Sequence, residues 1–204
     1  MDRRIGIDEA GRGPVLGPMV VALVEWPEDL DESDHPSDVT IADSKNLTAE
    51  TRERTARYLK NRINYRICSV PAWVLARPDT TIPQVEARVI SRCHDTLPEQ
   101  PVYSDALGSG TKAHQWIRNH QTNRSFVFES GADDRYPWVS AASILAKTTR
   151  DRALDRLEST WGELGSGYPS DPTTQTWLND WAEAGDPWPS FVRTNWSTVQ
   201  KLRD

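Results

Sequence analysis

The stretch GIDEAGRGP, residues 6–14, is the segment from which the fold and the chemistry of this chain can be worked out. It places two adjacent acids, Asp8 and Glu9, at the end of a short apolar strand, and the glycine-flanked arginine of residues 11–13 then forms a turn. Strand-end carboxylates are typical ligands of hard cations. A glycine turn beside a fixed cation lets a backbone approach a phosphate chain closely. Together these features predict metal-dependent chemistry on a nucleic acid.

Length and composition set broad limits on the class of protein. The chain has 204 residues, which suits one domain with a small appended lobe and suffices to bury a core. A mean hydropathy of −0.66 and the lack of a long apolar run argue against a membrane-spanning helix, and the first residues do not resemble a signal peptide. Cys68 and Cys93 stand apart without CxxC spacing, so we expect a reducing, cytoplasmic location.

The charge balance does not favour nucleic-acid binding by itself. The chain carries 24 basic and 30 acidic residues, for a net charge of −6, whereas many nucleic-acid-binding proteins are basic. Two explanations stay open at this point. Either the basic residues gather on one face, or the acidic excess is a surface adaptation to a salty cytoplasm.

Apolar runs, capping residues and turn signals predict an α/β fold. The predicted strands are residues 4–7, 17–25, 64–70, 102–105 and 125–129. The predicted helices run from a Thr48 N-cap to Lys60, from a Thr81 cap to Leu97, near 112–120, over an amphipathic stretch at 136–159, and over 174–184 and 195–202.

Two further acidic positions could complete a metal site with Asp8 and Glu9. Asp105 ends a strand, and the pair Asp133 and Asp134 directly precedes the long predicted helix. Because strand-end carboxylates of an open α/β sheet meet at one edge, the three segments are expected to converge. Oxygen ligands without nearby Cys or His favour Mg²⁺ or Mn²⁺ over zinc. The alternative is that these acids are helix caps and solvated loop ends.

Several long motifs in a fixed order show that the chain resembles ribonuclease HII, the type 2 ribonuclease H, and most closely its archaeal branch. The motifs are IGIDEAGRGPVLGPMVVA at 5–22, DSKNL at 43–47, VYSDA at 102–106, ADDRYPWVSAASILAKTTRD at 132–151, GSGYPSDPTTQTWL at 165–178 and VRTNWSTVQKL at 192–202. The resemblance implies a ribonuclease H-like fold, with a central five-stranded mixed sheet flanked by helices. It also implies a catalytic domain at 1–160 and a small helical C-terminal lobe at 161–204 that binds the duplex.

The resemblance implies four catalytic acids that hold two Mg²⁺ or Mn²⁺ ions when substrate is bound. They are Asp8, Glu9, Asp105 and Asp133. The last lies in a motif of the form AD-x-K/R-YP, which places the acid at Asp133. Asp134 stands where the family usually has a small residue, so the choice between these two neighbours stays slightly open.

Recognition of the substrate is expected to fall on the glycine turn and on one tyrosine. RNA differs from DNA by its 2′-hydroxyl, and Gly11 and Gly13 lack the Cβ atoms that would block a close approach to the sugar. Arg12 is placed to bind an adjacent phosphate. By resemblance, the turn recognises the ribose on the 5′ side of an RNA–DNA junction, and Tyr168 packs against the following deoxyribose. A bare tight turn and a tyrosine that anchors the lobe are the structural alternatives.

A looser group of side chains is expected near the substrate backbone. Its members are Lys45, Ser140, Ser143, Lys147 and Arg150, of which Lys45 and Lys147 are the stronger candidates. The nine tryptophans are expected to pack the core and the lobe, because a duplex keeps its bases stacked and inaccessible.

The sequence therefore predicts an endonuclease that cleaves on the 5′ side of a ribonucleotide in RNA/DNA hybrids and in duplex DNA with single embedded ribonucleotides. The expected products carry 3′-OH and 5′-phosphate ends, and the expected state is a monomer. Two other functions stay open: a resolvase or transposase relative that shares the acids but lacks the glycine turn, and a catalytically silent hybrid-binding module. The C-terminus shows no obvious glutamine-to-aromatic motif, so a sliding-clamp partner is unsupported by the sequence.

Overall fold

Five strands form one mixed sheet in a computed structural model of the protein. The structure describes residues 4–30, 35–42, 44, 46–94, 100–105, 115, 117 and 125–202, without the side chains of residues 93 and 94. The strands are β1 (Arg4–Ala10), β2 (Met19–Trp26), β3 (Asn64–Val70), β4 (Val102–Asp105) and β5 (Phe126–Glu129). Their order across the sheet is β3-β2-β1-β4-β5. β1 runs antiparallel to β2 and parallel to β4, and β4 runs parallel to β5, which confirms the predicted mixed sheet.

Seven helices are described. They are α1 (Ala49–Lys60), α2 (Ala72–Leu75), α3 (Ile82–His94), α4 (Ala132–Arg135), α5 (Pro137–Trp161), α6 (Pro172–Ala184) and α7 (Ser197–Gln200). The predicted Thr48 cap is confirmed, because its hydroxyl accepts a hydrogen bond from the Thr51 amide at 3.2 Å. The helix predicted near 112–120 lies outside the described residues, except for residues 115 and 117.

The first two strands differ from their predicted bounds. β1 continues through Asp8 and Glu9 to Ala10, because each of these residues still pairs with a residue of β2. The acids are thus fixed inside a strand. β2 begins at Met19 and not at Gly17, whose φ of +81° belongs to the left-handed region and not to extended backbone.

The long helix α5 was predicted to be amphipathic, but its first half is buried on all sides. Six apolar residues between positions 139 and 146 have no exposed surface: Val139, Ala141, Ala142, Ile144, Leu145 and Ala146. A helix that is apolar all round belongs in a core. The alanines make this possible because they let neighbouring elements approach the helix closely.

The described residues divide into two compact units. The first falls within 1–10, 20–68 and 83–148, and the second within 11–19, 69–82 and 149–204. The core of the first joins β2 and α1 to the buried half of α5, and the core of the second gathers Leu16, Leu164 and Phe191 with other apolar residues. The predicted domain boundary after residue 160 is a different division and stays a prediction. No helix in the described part of the chain is long and apolar enough to cross a membrane.

Candidate active site

Two of the predicted acids lie on adjacent parallel strands at the same edge of the sheet. Ile7 of β1 pairs with Ser104 of β4, so that Asp8 and Asp105 are the next residues along their strands. Asp105 is the last residue of β4. The parallel pairing thus brings the carboxyl ends of both strands, and both acids, to one place, as the sequence predicted.

Asp8 is a buried carboxylate in an unfavourable electrostatic environment. Only 7% of the surface of Asp8 is exposed to solvent. Burial, and next the negative charge of Glu9, raise its pKa well above the ordinary carboxyl value, and the charge of Asp133 adds to this effect. Hydrogen bonds from the Ser143 hydroxyl and the Glu9 backbone amide act in the opposite direction. Three predicted ligands, Asp8, Glu9 and Asp133, therefore share one electrostatic environment.

Ser143 links Asp8 to a more distant hydroxyl. Its Oγ lies 2.9 Å from Oγ of Ser44, and both serines are buried. A hydroxyl has one proton, so if Ser143 donates to the Asp8 carboxylate, Ser44 must donate to Ser143. Ser143 therefore contacts one of the predicted acids, and its predicted contact with a phosphate stays a prediction.

Asp105 holds the segment that carries Asp133. Its Oδ1 accepts hydrogen bonds from the backbone amides of Gly131 at 2.8 Å and Ala132 at 3.4 Å. These amides open the short helix α4, whose second residue is Asp133. Asp133 is 5% exposed, whereas Asp134 is exposed to solvent. The structure thus directs Asp133 inward toward the other acids, which supports the choice of Asp133 over its neighbour.

Ser140 has an internal contact that the sequence did not predict. Its hydroxyl donates to the backbone carbonyl of Asp133 and lies 3.3 Å from the carbonyl of Tyr136. It is also buried. Ser140 therefore ties the start of α5 to α4, and its predicted contact with substrate stays a prediction.

The acids fit a divalent cation in their chemistry, although they do not form a closed cage. Among the residues that the structure describes, no three His, Cys, Asp or Glu side chains are grouped closely enough to hold a metal ion. The fit is shown by Asp8: a cation beside it would offset the raised pKa that burial, Glu9 and Asp133 impose.

The second unit brings together two residues that were predicted to recognise the sugar. Gly13 is exposed, and a Cβ built on it would lie 3.4 Å from Cε1 of Tyr168. The Tyr168 side chain is itself 40% exposed, so its ring is accessible beside the turn. At the start of the turn, Gly11 has a φ of +87°, and a Cβ there would lie 2.6 Å from the carbonyl oxygen of Pro18. Gly11 is thus required by the backbone, and Gly13 leaves an open surface next to the ring.

Arg150 is a buried residue that packs beside the ring of Tyr168. It is 3% exposed, and its guanidinium donates to the Ser166 carbonyl, pairs with Asp151 at 3.2 Å and lies 5.6 Å from the centre of the Tyr168 ring. It is not the exposed cation that a phosphate contact needs. The interpretation of Arg150 as a looser phosphate contact is therefore corrected to a support for Tyr168.

Three further residues were predicted to contact the phosphate backbone of the substrate. Arg12 and Lys147 are half-buried, and Lys45 lies outside the described residues. Their contacts with a phosphate backbone stay predictions.

Sequence reasoning missed one residue that the structure places at the centre of the second unit. Arg193 is fully buried, and its guanidinium donates to the carbonyls of Gly11, Arg12 and Gly17. Burial, and then the charge of Arg150, lower its pKa to about 9, which leaves it charged at neutral pH. The signal was present, because Arg193 belongs to the quoted motif at 192–202, but an isolated arginine in a tail usually indicates a solvated charge.

A mixed α/β sheet of this order, with the buried Asp8 and the half-buried Asp105 toward the carboxyl ends of two adjacent parallel strands, is the arrangement of a nuclease of the ribonuclease H-like class. The family model described as Ribonuclease HII matches residues 5–199. The chain therefore belongs to the ribonuclease HII family, and it is a type 2 ribonuclease H endonuclease, an activity that depends on divalent metal in this family.

Individual relatives agree with this assignment. Ribonuclease HII of Thermococcus kodakarensis is 37% identical over 206 residues, with 98% of this chain and 89% of the relative covered. The crystal structure of ribonuclease H2 from Pyrococcus horikoshii is 33% identical with a TM-score of 0.83, covering 98% of this chain and 97% of that one. A structure of the PCNA:RNase HII complex from Archaeoglobus fulgidus is 34% identical with a TM-score of 0.79 and the same coverage.

Proposed function

We propose that this endonuclease hydrolyses the phosphodiester on the 5′ side of a ribonucleotide, both in RNA/DNA hybrids and at single ribonucleotides embedded in duplex DNA. The products would carry 3′-OH and 5′-phosphate ends. The observation that carries the proposal is the pair of surfaces just described: a buried carboxylate centre around Asp8, and an exposed tyrosine beside an open glycine turn. The first suits phosphodiester hydrolysis, and the second suits a close approach to a sugar.

The four acids would hold two Mg²⁺ or Mn²⁺ ions. Carboxylate oxygen is the donor that these hard cations prefer, and no histidine or cysteine was predicted as a ligand. When bound, such a pair of ions supplies an activated water and neutralises the charge of the leaving oxygen. Asp105 would also keep α4 in place through its bonds to Gly131 and Ala132, so that Asp133 stays directed inward.

Discrimination of the sugar would fall on residues 11–13 and Tyr168. The open position at Gly13 leaves room for a ribose against the turn backbone, where polar main-chain groups can reach a 2′-hydroxyl. The exposed ring of Tyr168 offers a flat apolar face to a neighbouring deoxyribose. Arg12, Lys45, Ser140 and Lys147 would contribute contacts with the substrate backbone.

The cellular role that follows is removal of misincorporated ribonucleotides and of RNA primer remnants in the cytoplasm, by a monomer. The relative from Archaeoglobus fulgidus was solved as a complex with PCNA.

A cleavage assay separates this function from its alternatives. We expect the protein with Mg²⁺ or Mn²⁺ to cut a labelled duplex at a single ribonucleotide and also to cut a long RNA/DNA hybrid, with both activities lost in Asp105→Asn. Binding without cutting would instead indicate a hybrid-binding module. Cutting of four-way junctions or of all-DNA duplex would indicate a resolvase-like nuclease.

A further inference from the structure

The proposed function gives no role to the C-terminal motif VRTNW at 192–196, which contains Arg193, the largest fully buried side chain among the described residues. Arg193 has no measurable exposure, and arginine is almost never buried without partners. Its described partners are main-chain carbonyls that lie 176 to 182 positions earlier in the chain. A buried charge committed to one loop indicates that the shape of this loop matters.

Arg193 bonds both ends of the loop that contains the glycine turn. Nη2 lies 2.6 Å from the Gly11 carbonyl and 3.1 Å from the Gly17 carbonyl, and Nη1 lies 2.8 Å from the Arg12 carbonyl. The planar guanidinium has donors in a fixed fork, so these bonds set the distance between the start and the end of the loop.

Trp196 holds the middle of the same turn. Its indole Nε1 donates to the Gly13 carbonyl at 3.3 Å, and its ring centre lies 5.0 Å from the Arg193 guanidinium carbon. The carbonyls of Gly11, Arg12 and Gly13 thus all accept hydrogen bonds from two side chains of one motif. The main-chain orientation of residues 11–13 is therefore fixed from the C-terminal side.

We propose that Arg193 and Trp196 are positioning residues that hold residues 11–13 in the one conformation able to distinguish a ribose from a deoxyribose. This inference rests on the proposed function, in which the turn reads the 2′-hydroxyl. One hydroxyl is a small difference, so its detection needs polar groups held within a fraction of an ångström. A turn of two glycines cannot hold such a geometry by itself, because glycine has the greatest backbone freedom. The buried arginine and the indole supply the missing constraint.

Two conservative variants test the proposal without removing a group that touches substrate. Arg193→Lys keeps the charge but lacks the fork, and Trp196→Phe keeps the ring but loses the donor to Gly13. Trp181→Phe is the matched control, because it loses an equivalent indole bond, to the Pro187 carbonyl at 3.2 Å, elsewhere in the same unit. The readout is the ratio of affinities, without divalent metal, for a duplex with one ribonucleotide and for the same duplex made only of DNA.

The wild-type protein and Trp181→Phe should prefer the ribonucleotide duplex, and Trp196→Phe and Arg193→Lys should lose this preference by roughly 10- to 100-fold. Their affinity for the all-DNA duplex should stay within about twofold of wild type, since the misplaced turn affects only the reading of the sugar. If Arg193→Lys does not fold, the result for Trp196→Phe decides.

Two results would overturn the inference. The preference could survive in Trp196→Phe while its melting temperature falls, which would leave the motif with a structural role only, or it could be lost equally in Trp181→Phe. Failure of the proposed function looks different: the wild-type protein itself would then bind the two duplexes equally well.

Discussion

At the scale of single residues, the fold buries two charged side chains in opposite electrostatic environments. Asp8 is a charge that the fold buries next to other negative charges, at a cost to stability. Arg193 is a positive charge that the fold buries among carbonyl oxygens, which accept its hydrogen bonds and stabilise it. A site that binds cations has to keep its acids close together before the cation arrives, and such sites are often locally destabilising.

The raised pKa of Asp8 predicts a gain of stability on its neutralisation. Between the ordinary carboxyl pKa and the raised value, the folded state keeps a proton that the unfolded state has released, so stability falls as pH rises through this window. Above it the full penalty applies. Asp8→Asn should therefore melt at a higher temperature than wild type at pH 7 without metal, by roughly 2–4 °C for each kcal/mol removed.

Thermal melts over a pH series provide the measurement. The advantage of Asp8→Asn should shrink as the pH is lowered toward the ordinary carboxyl pKa, where the wild-type Asp8 is neutral as well. Asp134→Asn, at an exposed position, is the control and should melt close to the wild-type temperature at pH 7. A destabilised Asp8→Asn at pH 7 would contradict the electrostatic description of the site.

The neighbours Asp133 and Asp134 provide a second test, because they share a short helix but differ in burial. Asp133→Asn should reduce cleavage by at least roughly 100-fold and weaken the rise in melting temperature that Mg²⁺ or Mn²⁺ produces in the wild type. Asp134→Asn should leave both within about twofold, as expected for an exposed surface residue. Equal losses in both variants would show that the inward direction of Asp133 does not select the ligand.

At the scale of elements, the approach of α5 to β1 depends on a glycine. A Cβ at Gly6 would lie 2.1 Å from the Trp138 carbonyl oxygen at the start of α5. Gly6 and Asp8 share one face of β1, since side chains alternate along a strand. Because Gly6 has no side chain, α5 can pack closely against this face of β1. The same close packing brings Ser143, further along α5, within hydrogen-bonding distance of Asp8.

Gly6→Ala is expected to destabilise the protein by about 1–3 kcal/mol or more, because main-chain atoms must move to relieve the clash. Chemical denaturation measures this change directly. Gly13→Ala serves as the paired variant: its new Cβ would make only van der Waals contact with Tyr168, so stability should be kept while cleavage at a ribonucleotide falls. A tolerated Gly6→Ala would show that α5 and β1 do not depend on this close approach.

The cap of α6 makes an independent prediction about pH. Asp171 accepts hydrogen bonds from the amides of Ser166, Thr173 and Thr174. Hydrogen bonding with Ser166 and these amides lowers its pKa to about 2. The stabilisation is therefore present above the ordinary carboxyl pKa and is lost as the pH falls toward 2.

Asp171→Asn keeps one oxygen to accept from the Thr173 and Thr174 amides, but its NH2 group cannot accept from Ser166 and its charge is lost, so it should lower the melting temperature at pH 7. The deficit should narrow in melts recorded at progressively more acidic pH. A deficit that stays constant down to pH 2 would show that the lost hydrogen bond from Ser166, and not the lost charge, accounts for it.

At the scale of the whole molecule, sequence patterns were sufficient to predict the strands of the sheet. They were insufficient to predict the long-range contacts that set where a strand ends. The strands over 64–70 and 102–105 and the helix after Thr48 were predicted because local propensity and local signals agree there. β1 was predicted too short, since Asp8 and Glu9 stay in the strand only through pairing with β2. That pairing is a long-range effect, which local patterns do not contain.

The candidate site shows the same division. The acids could be identified because strand-end carboxylates and family motifs are visible in one dimension, and the structure brings Asp8 close to Asp133. Arg193 could not be assigned, because its partners are main-chain carbonyls of residues far away in the chain. Every residue has a main-chain carbonyl, so the sequence does not indicate which ones a side chain will contact. Arg150 was misjudged for the related reason that burial of a helical cation depends on its neighbours.

The central claim is that this molecule recognises a single 2′-hydroxyl and cuts on its 5′ side. The most direct measurement uses three duplexes of one sequence that carry ribose, deoxyribose or 2′-O-methylribose at one position, incubated with Mg²⁺ or Mn²⁺, with the products mapped at nucleotide resolution and their ends identified. The account predicts one cut, only in the ribose duplex, immediately 5′ of that nucleotide, with 3′-OH and 5′-phosphate ends. Cleavage of the deoxyribose or methylated duplex at a similar rate, or a cut on the 3′ side, would contradict it.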